Sequence, residues 1–123
     1  MAEKYETIHY ERNVEGFCSV LGDVCKGMKK TKEAYEWYEK GLKIGQLLIK
    51  KSGDSVFWAD LVDGYYNLST LMEGEEKMSY LEKACEICKM LSEKYPEVDK
   101  YERNYNTIRT KLDHLKYDRK AGE

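Results

Sequence analysis

Apolar residues recur along this chain at intervals of three and four, in five blocks separated by short breaks rich in Gly, Ser, Lys or Glu. In the first block Tyr10, Val14, Phe17, Leu21 and Val24 form a stripe that Cys18 and Cys25 widen. That spacing predicts an amphipathic helix over about 4–26. Gly27 and the lysines Lys26, Lys29, Lys30 and Lys32 make a turn, and Thr31 suits the N-cap of the next helix. This second helix is expected over about 32–51, burying Ala34, Tyr35, Tyr38, Gly41, Leu42, Gly45 and Leu48. Ser52-Gly53-Asp54-Ser55 ends it, with Gly53 fitted to a left-handed C-terminal position and Asp54 or Ser55 to the next N-cap. The third helix, about 56–72, carries Phe57, Leu61, Tyr65, Leu68 and Met72. After a turn at Glu73-Gly74-Glu75, the fourth, about 76–94, presents Met78, Leu81, Ala84, Cys85, Cys88 and Leu91. Pro96 breaks the chain and is expected to open a fifth helix over about 97–115, with Val98, Tyr101, Tyr105, Ile108, Leu112 and Leu115 inward. Residues from about 116 to 123 read as a frayed tail. The expectation is one all-α domain covering residues 1–123.

Small residues sit where two helices would touch. Glycine inside a helix costs about 1 kcal/mol relative to alanine, so Gly22 and Gly41 on contact faces imply compensating close approach of backbones. The blocks also repeat. Tyr10-Glu11-Arg12-Asn13 returns as Tyr101-Glu102-Arg103-Asn104, and in that register Leu21 falls on Leu112 and Val24 on Leu115. Phe57, Leu61, Leu68 and Leu71 of the third helix match Tyr10, Val14, Leu21 and Val24. Trp37-Tyr38-Glu39-Lys40-Gly41 aligns with Tyr80-Leu81-Glu82-Lys83-Ala84, so the order is A, B, A, B, A.

This pattern resembles the tetratricopeptide repeat, whose signature runs aromatic, Leu-Gly, aromatic, Ala, aromatic, small. Those places hold Cys18, Leu21, Gly22, Cys25, Ala34, Tyr38 and Gly41, with cysteines in both aromatic places of the first helix. In the second repeat Ser69 and Lys77 replace the expected Gly and Ala. The period of roughly 45 residues exceeds the about 34 of the commonest form and is similar to the long variants of kinesin light chains and bacterial signalling proteins. The resemblance implies a right-handed superhelical stack of five antiparallel helices, two repeats and a capping helix, acting as a non-enzymatic adaptor that binds a protein or peptide. Its A helices would line a concave groove with Arg12, Gly16, Ser19, Asp23 and Lys26 from the first, Asp63, Tyr66, Thr70 and Glu73 from the third, and Arg103, Thr107, Thr110 and His114 from the fifth. Mixed charge with a Tyr suits an extended peptide or a partner helix. The Lys, Arg and Asn cluster with which some family members grip a C-terminal carboxylate is not matched, since Lys26, Asn67 and Arg103 fall at different registers.

Composition narrows the remaining classes. Charged residues make up 36% of the chain, yet the net charge is only −2, too small to steer it globally toward nucleic acid or an anionic membrane. The lysines around Lys29 form a local basic zone without the interleaved aromatics that single-strand binders stack on. No run approaches the ~20 apolar residues of a membrane span, and the N-terminal segment lacks a signal peptide's apolar core. A cytoplasmic location with four reduced cysteines is expected. Cys18, Cys25, Cys85 and Cys88 are four thiols, the number a zinc site takes, but two occupy packing places and the CxxC lies mid-helix, so no metal or other cofactor is expected.

Two alternatives remain open. Arg109-x-x-x-x-His114 resembles the short Arg to His motif of the all-helical HEPN ribonucleases, which would make His114 the acid or base and Arg109 the phosphate holder. Five positions apart on one helix, however, these side chains point to different faces. A stack of two and a half repeats also leaves end faces through which copies could associate.

Overall fold

The computed structural model describes residues 2–121, with side-chain surroundings for 7–118. Among these the chain is all-helical: α1 (Ala2–Gly27), α2 (Thr31–Ser52), α3 (Ser55–Ser69), α4 (Gly74–Lys94) and α5 (Asp99–Ala121). Each helix packs on its sequence neighbour, α1 on α2, α2 on α3, α3 on α4 and α4 on α5.

The turns arise from local chemistry. Gly53 takes φ 70°, a left-handed conformation, and its N–H bonds to the Ile49 carbonyl at 2.8 Å. The Asp54 carboxylate then caps α3 by accepting from the Val56 N–H at 3.0 Å. Several boundaries differ from expectation, α4 for one beginning at Gly74 rather than Glu76. Lys30, not Thr31, is the N-cap of α2. Its N–H is drawn back to the Cys25 carbonyl at 2.8 Å while its own carbonyl accepts the first helical bond from Ala34 at 2.9 Å. α3 ends at Ser69 because Ser69 Oγ and Thr70 Oγ1 donate to the carbonyls of Tyr66 and Asn67, at 2.5 and 2.6 Å, and i→i+3 bonds tighten the chain through Met72. Pro96 sits inside a turn closed by Val98 N–H to the Tyr95 carbonyl at 3.0 Å, so α5 begins at Asp99 rather than Glu97. Residues 116–121, expected to fray, continue α5. Nothing before Gly122 breaks the helix, and Lys116 pairs with Glu82 of α4 at 3.8 Å. The last two residues of that tail lie outside the described residues.

Two apolar clusters hold the helices together. Val62, Leu81, Ala84, Cys85, Cys88, Ile108 and Leu112 join α3, α4 and α5, with Tyr65, Tyr105 and Leu115 packed around them. Ala34, Tyr38 and Leu68 join α2 to α3, with Cys25 of α1, Leu42 and Tyr80 against them. The glycines mark the closest approaches. A Cβ on Gly22 would fall within the Tyr38 ring, and one on Gly41 would lie 3.2 Å from the Cβ of Cys18.

The packed face of α1 is a correction to the expected one. Glu15, Cys18 and Gly22 are its buried residues, with Cys25 half-buried, whereas Tyr10, Phe17, Leu21 and Val24 of the apolar stripe are exposed. Gly41 and Gly45 of α2 let its backbone come close to this ridge, Gly41 against Cys18 and Gly45 against the Glu15 carboxylate.

Candidate functional site

α1 and α3 do not pack closely against each other; a cleft of about 200 Å³ separates them, with α2 as its floor. Gly16 and Ser19 line it from α1, Asp60, Asp63 and Asn67 from α3, and Gly41, Leu42 and Gly45 from α2. Its distinguishing group is Glu15. The i, i+3, i+7, i+10 progression Glu15, Cys18, Gly22, Cys25 puts this carboxylate on the packed face of α1, where it is only 9% exposed. There its Oε2 lies 2.6 Å from where a Gly45 Cβ would stand, so a larger residue at position 45 would require the carboxylate to shift.

Burial disfavours the charged form of Glu15, and the neighbouring carboxylates of Asp60 and Asp63 act in the same direction. Arg12 opposes them, yet the pKa is pushed up to about 8, so at neutral pH Glu15 holds a proton that it donates to Asp60. Arg12 itself bridges α1 to α3, its Nε 3.4 Å from Asp60 Oδ2 and its guanidinium 5.9 Å from the Phe57 ring centroid. Asp63 is exposed as a residue, but its carboxyl sits low enough in the cleft for desolvation to push its pKa up, with Lys100 opposing and Asp60 adding to the rise.

A second cleft of about 210 Å³ lies between α3 and α5, lined by Val62, Asp63, Tyr66, Asn104, Thr107 and Ile108. Lys111 stands 4.6 Å from the Tyr66 ring centroid and donates a hydrogen bond to its hydroxyl. Asp63 lines both clefts. The two clefts thus adjoin at Asp63 of α3, the first lined by the carboxylates of Glu15, Asp60 and Asp63, the second by amide, hydroxyl and aromatic groups of Asn104, Thr107 and Tyr66.

Of the residues expected in the groove, Gly16, Ser19, Asp63, Tyr66 and Thr107 line these clefts and Arg12 braces the first. Asp23 instead accepts a hydrogen bond from the Tyr38 hydroxyl, tying α1 to α2. Lys26 lies in the last turn of α1, and Thr70 caps the C-terminus of α3. Arg103, Thr110 and His114 are exposed on α5 outside the cleft linings, with Thr110 donating to the Asn106 carbonyl at 2.8 Å. Beside the expected Thr107, the α5 side is lined by Asn104 and Ile108, with Lys111 against Tyr66. Glu15 and Asp60 are not among the residues expected from the sequence. A carboxylate in i, i+3, i+7 register with Cys18 and Gly22 is the signal available for Glu15.

The other chemistry-bearing groups are placed apart from these clefts. Arg109 Nε pairs with Asp113 at 3.4 Å and lines a shallow hollow between α4 and α5, while His114 is exposed on a different face of the same helix. Cys85 and Cys88 lie in the α3–α4–α5 core, where burial pushes both thiols up, Cys88 to about 12. Cys18 is buried between α1 and α2, where burial pushes its thiol up as well. Among the described residues no three groups of ligating type converge on a point where a metal ion would sit, and no helix is long and apolar enough to cross a membrane. No family model, no curated protein and no solved structure matches this chain.

Proposed function

We propose that this chain is a non-enzymatic adaptor, a tetratricopeptide-like superhelical stack of hairpins that holds an extended segment of a partner protein in the groove crossing α1, α3 and α5. The observation that carries this reading is the pair of clefts meeting at Asp63, because an extended peptide needs successive pockets along a line. Asp60 and Asp63, beside the protonated Glu15, favour a Lys or Arg side chain of the partner at the α1 end. Tyr66, Asn67 and Asn104 supply hydrogen-bonding groups for its backbone. The cytoplasm is the compartment proposed with it, where free thiols such as these four persist.

Selection from a random peptide display library tests this. The wild-type chain is expected to enrich Lys- or Arg-bearing peptides, and the Asp63→Lys, Tyr66→Ala variant to bind them at least about tenfold more weakly, with circular dichroism unchanged. Peptides that bind both proteins equally, or no enrichment on wild type, would overturn the groove as the binding surface.

A further inference from the structure

The face of α1 that turns away from α2 and α3 is apolar over most of the helix. Tyr10, Phe17 and Met28 are 69%, 68% and 58% exposed, and Val20, Leu21 and Val24 are exposed with them. With the half-buried Val14, the positions 10, 14, 17, 21, 24 and 28 alternate steps of four and three. That is a 3.5-residue period, which keeps a straight seam only against another helix that supercoils with it. Among the described residues no helix occupies that side, since α1 packs closely on α2 alone.

We propose that this seam is a homodimer interface, in which α1 of one protomer lies antiparallel to α1 of its partner across a two-fold axis between Phe17 and Leu21. Three observations select a second copy. The exposed apolar side chains offer roughly 600 Å² per protomer, so a second copy that covered them fully would bury about 1,200 Å² in all, the low end of stable protein interfaces. The seam carries no charged residue between Tyr10 and Met28, so two copies meet without repulsion, while a charged partner would find nothing to pair with. A two-fold axis at that point sets Phe17 against Leu21, Tyr10 against Met28 and Val14 against Val24, each contact made twice as an isologous interface requires.

The lysines at the end of α1 fix the direction. Lys26, Lys29 and Lys30 are all exposed. A parallel pair would bring both clusters together, whereas an antiparallel pair puts them at opposite ends, about 27 Å apart at 1.5 Å per residue. Gly16 and Ser19, which line the α1–α3 cleft, lie on another side of α1, so the interface leaves that cleft open.

Light scattering on the full chain after gel filtration tests this with two variants. Wild type is expected at twice 14.5 kDa. Phe17→Lys and Leu21→Glu should each run at the mass of one chain, with helical circular dichroism retained because both side chains are solvent-exposed. An equimolar mixture of the two variants should return to the doubled mass, because only the antiparallel arrangement sets the new Lys against the new Glu. A wild-type mass of one chain would overturn the proposal, and so would dimers that persist in either variant alone. A mixture that stays monomeric would overturn the antiparallel register. Wild type that is monomeric but binds neutral phosphatidylcholine vesicles through this face would replace the second copy with a lipid surface.

Discussion

Lys29 holds a left-handed backbone conformation at φ 62°, the only non-glycine to do so among the described residues. The bonds around it explain why: Lys30 N–H reaches the Cys25 carbonyl at 2.8 Å and Lys29 N–H the Lys26 carbonyl at 3.0 Å, the paired closure that glycine normally makes at a helix C-terminus. A Cβ in that conformation costs about 1 kcal/mol or more. Lys29→Gly is therefore expected to stabilise the chain by about 1 kcal/mol, seen as a rise of roughly 4 °C in thermal midpoint; a fall would show that the lysine side chain contributes more than its backbone strain costs. Glu15 gives a residue-scale prediction of opposite kind. Its pKa rises from an ordinary 4.5 to about 8 on folding, so between those values the folded chain holds a proton that the unfolded chain has released. Stability consequently falls as pH rises across that window, and the contribution is complete only below it. Glu15→Gln keeps the neutral shape beside Asp60, Asp63 and Arg12 and should flatten that decline. The variant should exceed wild type by about 1–2 kcal/mol in urea denaturation at pH 9 and match it near pH 5.

Helices meet in this protein through small residues as much as through large ones, and the α1–α2 contact shows the consequence. A methyl on Gly22 would overlap the ring of Tyr38, which is buried and anchored by its hydroxyl to Asp23. Gly22→Ala should gain about 1 kcal/mol of helix propensity but lose more to overpacking, leaving a net loss of about 1–3 kcal/mol. Gly16→Ala on the same helix meets nothing within 4 Å and should stabilise, so thermal melts of the two variants should move in opposite directions. The same physics explains how much of the fold is legible in the sequence. Helices show there because period 3.6 is a property of the chain itself, and for α4 the expected stripe from Leu81 to Leu91 is the buried one. For α1 the heavier stripe outweighs the true packing face, because Glu15, Cys18 and Gly22 contribute little hydrophobicity, and their burial depends on Gly41 and Gly45 lying opposite them. Asp60 is invisible for a related reason, since its meaning comes from Glu15 and Arg12 on another helix. The end of α5 goes the other way: an absence of strong apolar positions reads as fraying, while an unbroken helical backbone needs none.

At the scale of the whole molecule, the extensive packing among the described residues joins helices adjacent in sequence. Such a chain has low contact order, and its stability is nearly a sum of nearest-neighbour terms. Opening one end need not disturb the other, so unfolding can proceed from the termini inward. Amide exchange would then be graded along the chain, slowest in α3, which has a packed neighbour on each side and lines both clefts, and fastest toward the outer ends of α1 and α5. A bound segment crossing α1, α3 and α5 would add to the sparse side-chain links across the clefts, Arg12 to Asp60 and Lys111 to Tyr66, and would act as a strut, protecting the two ends together. Occupancy of the groove would thus be legible from protection of backbone amides far from any residue the ligand touches.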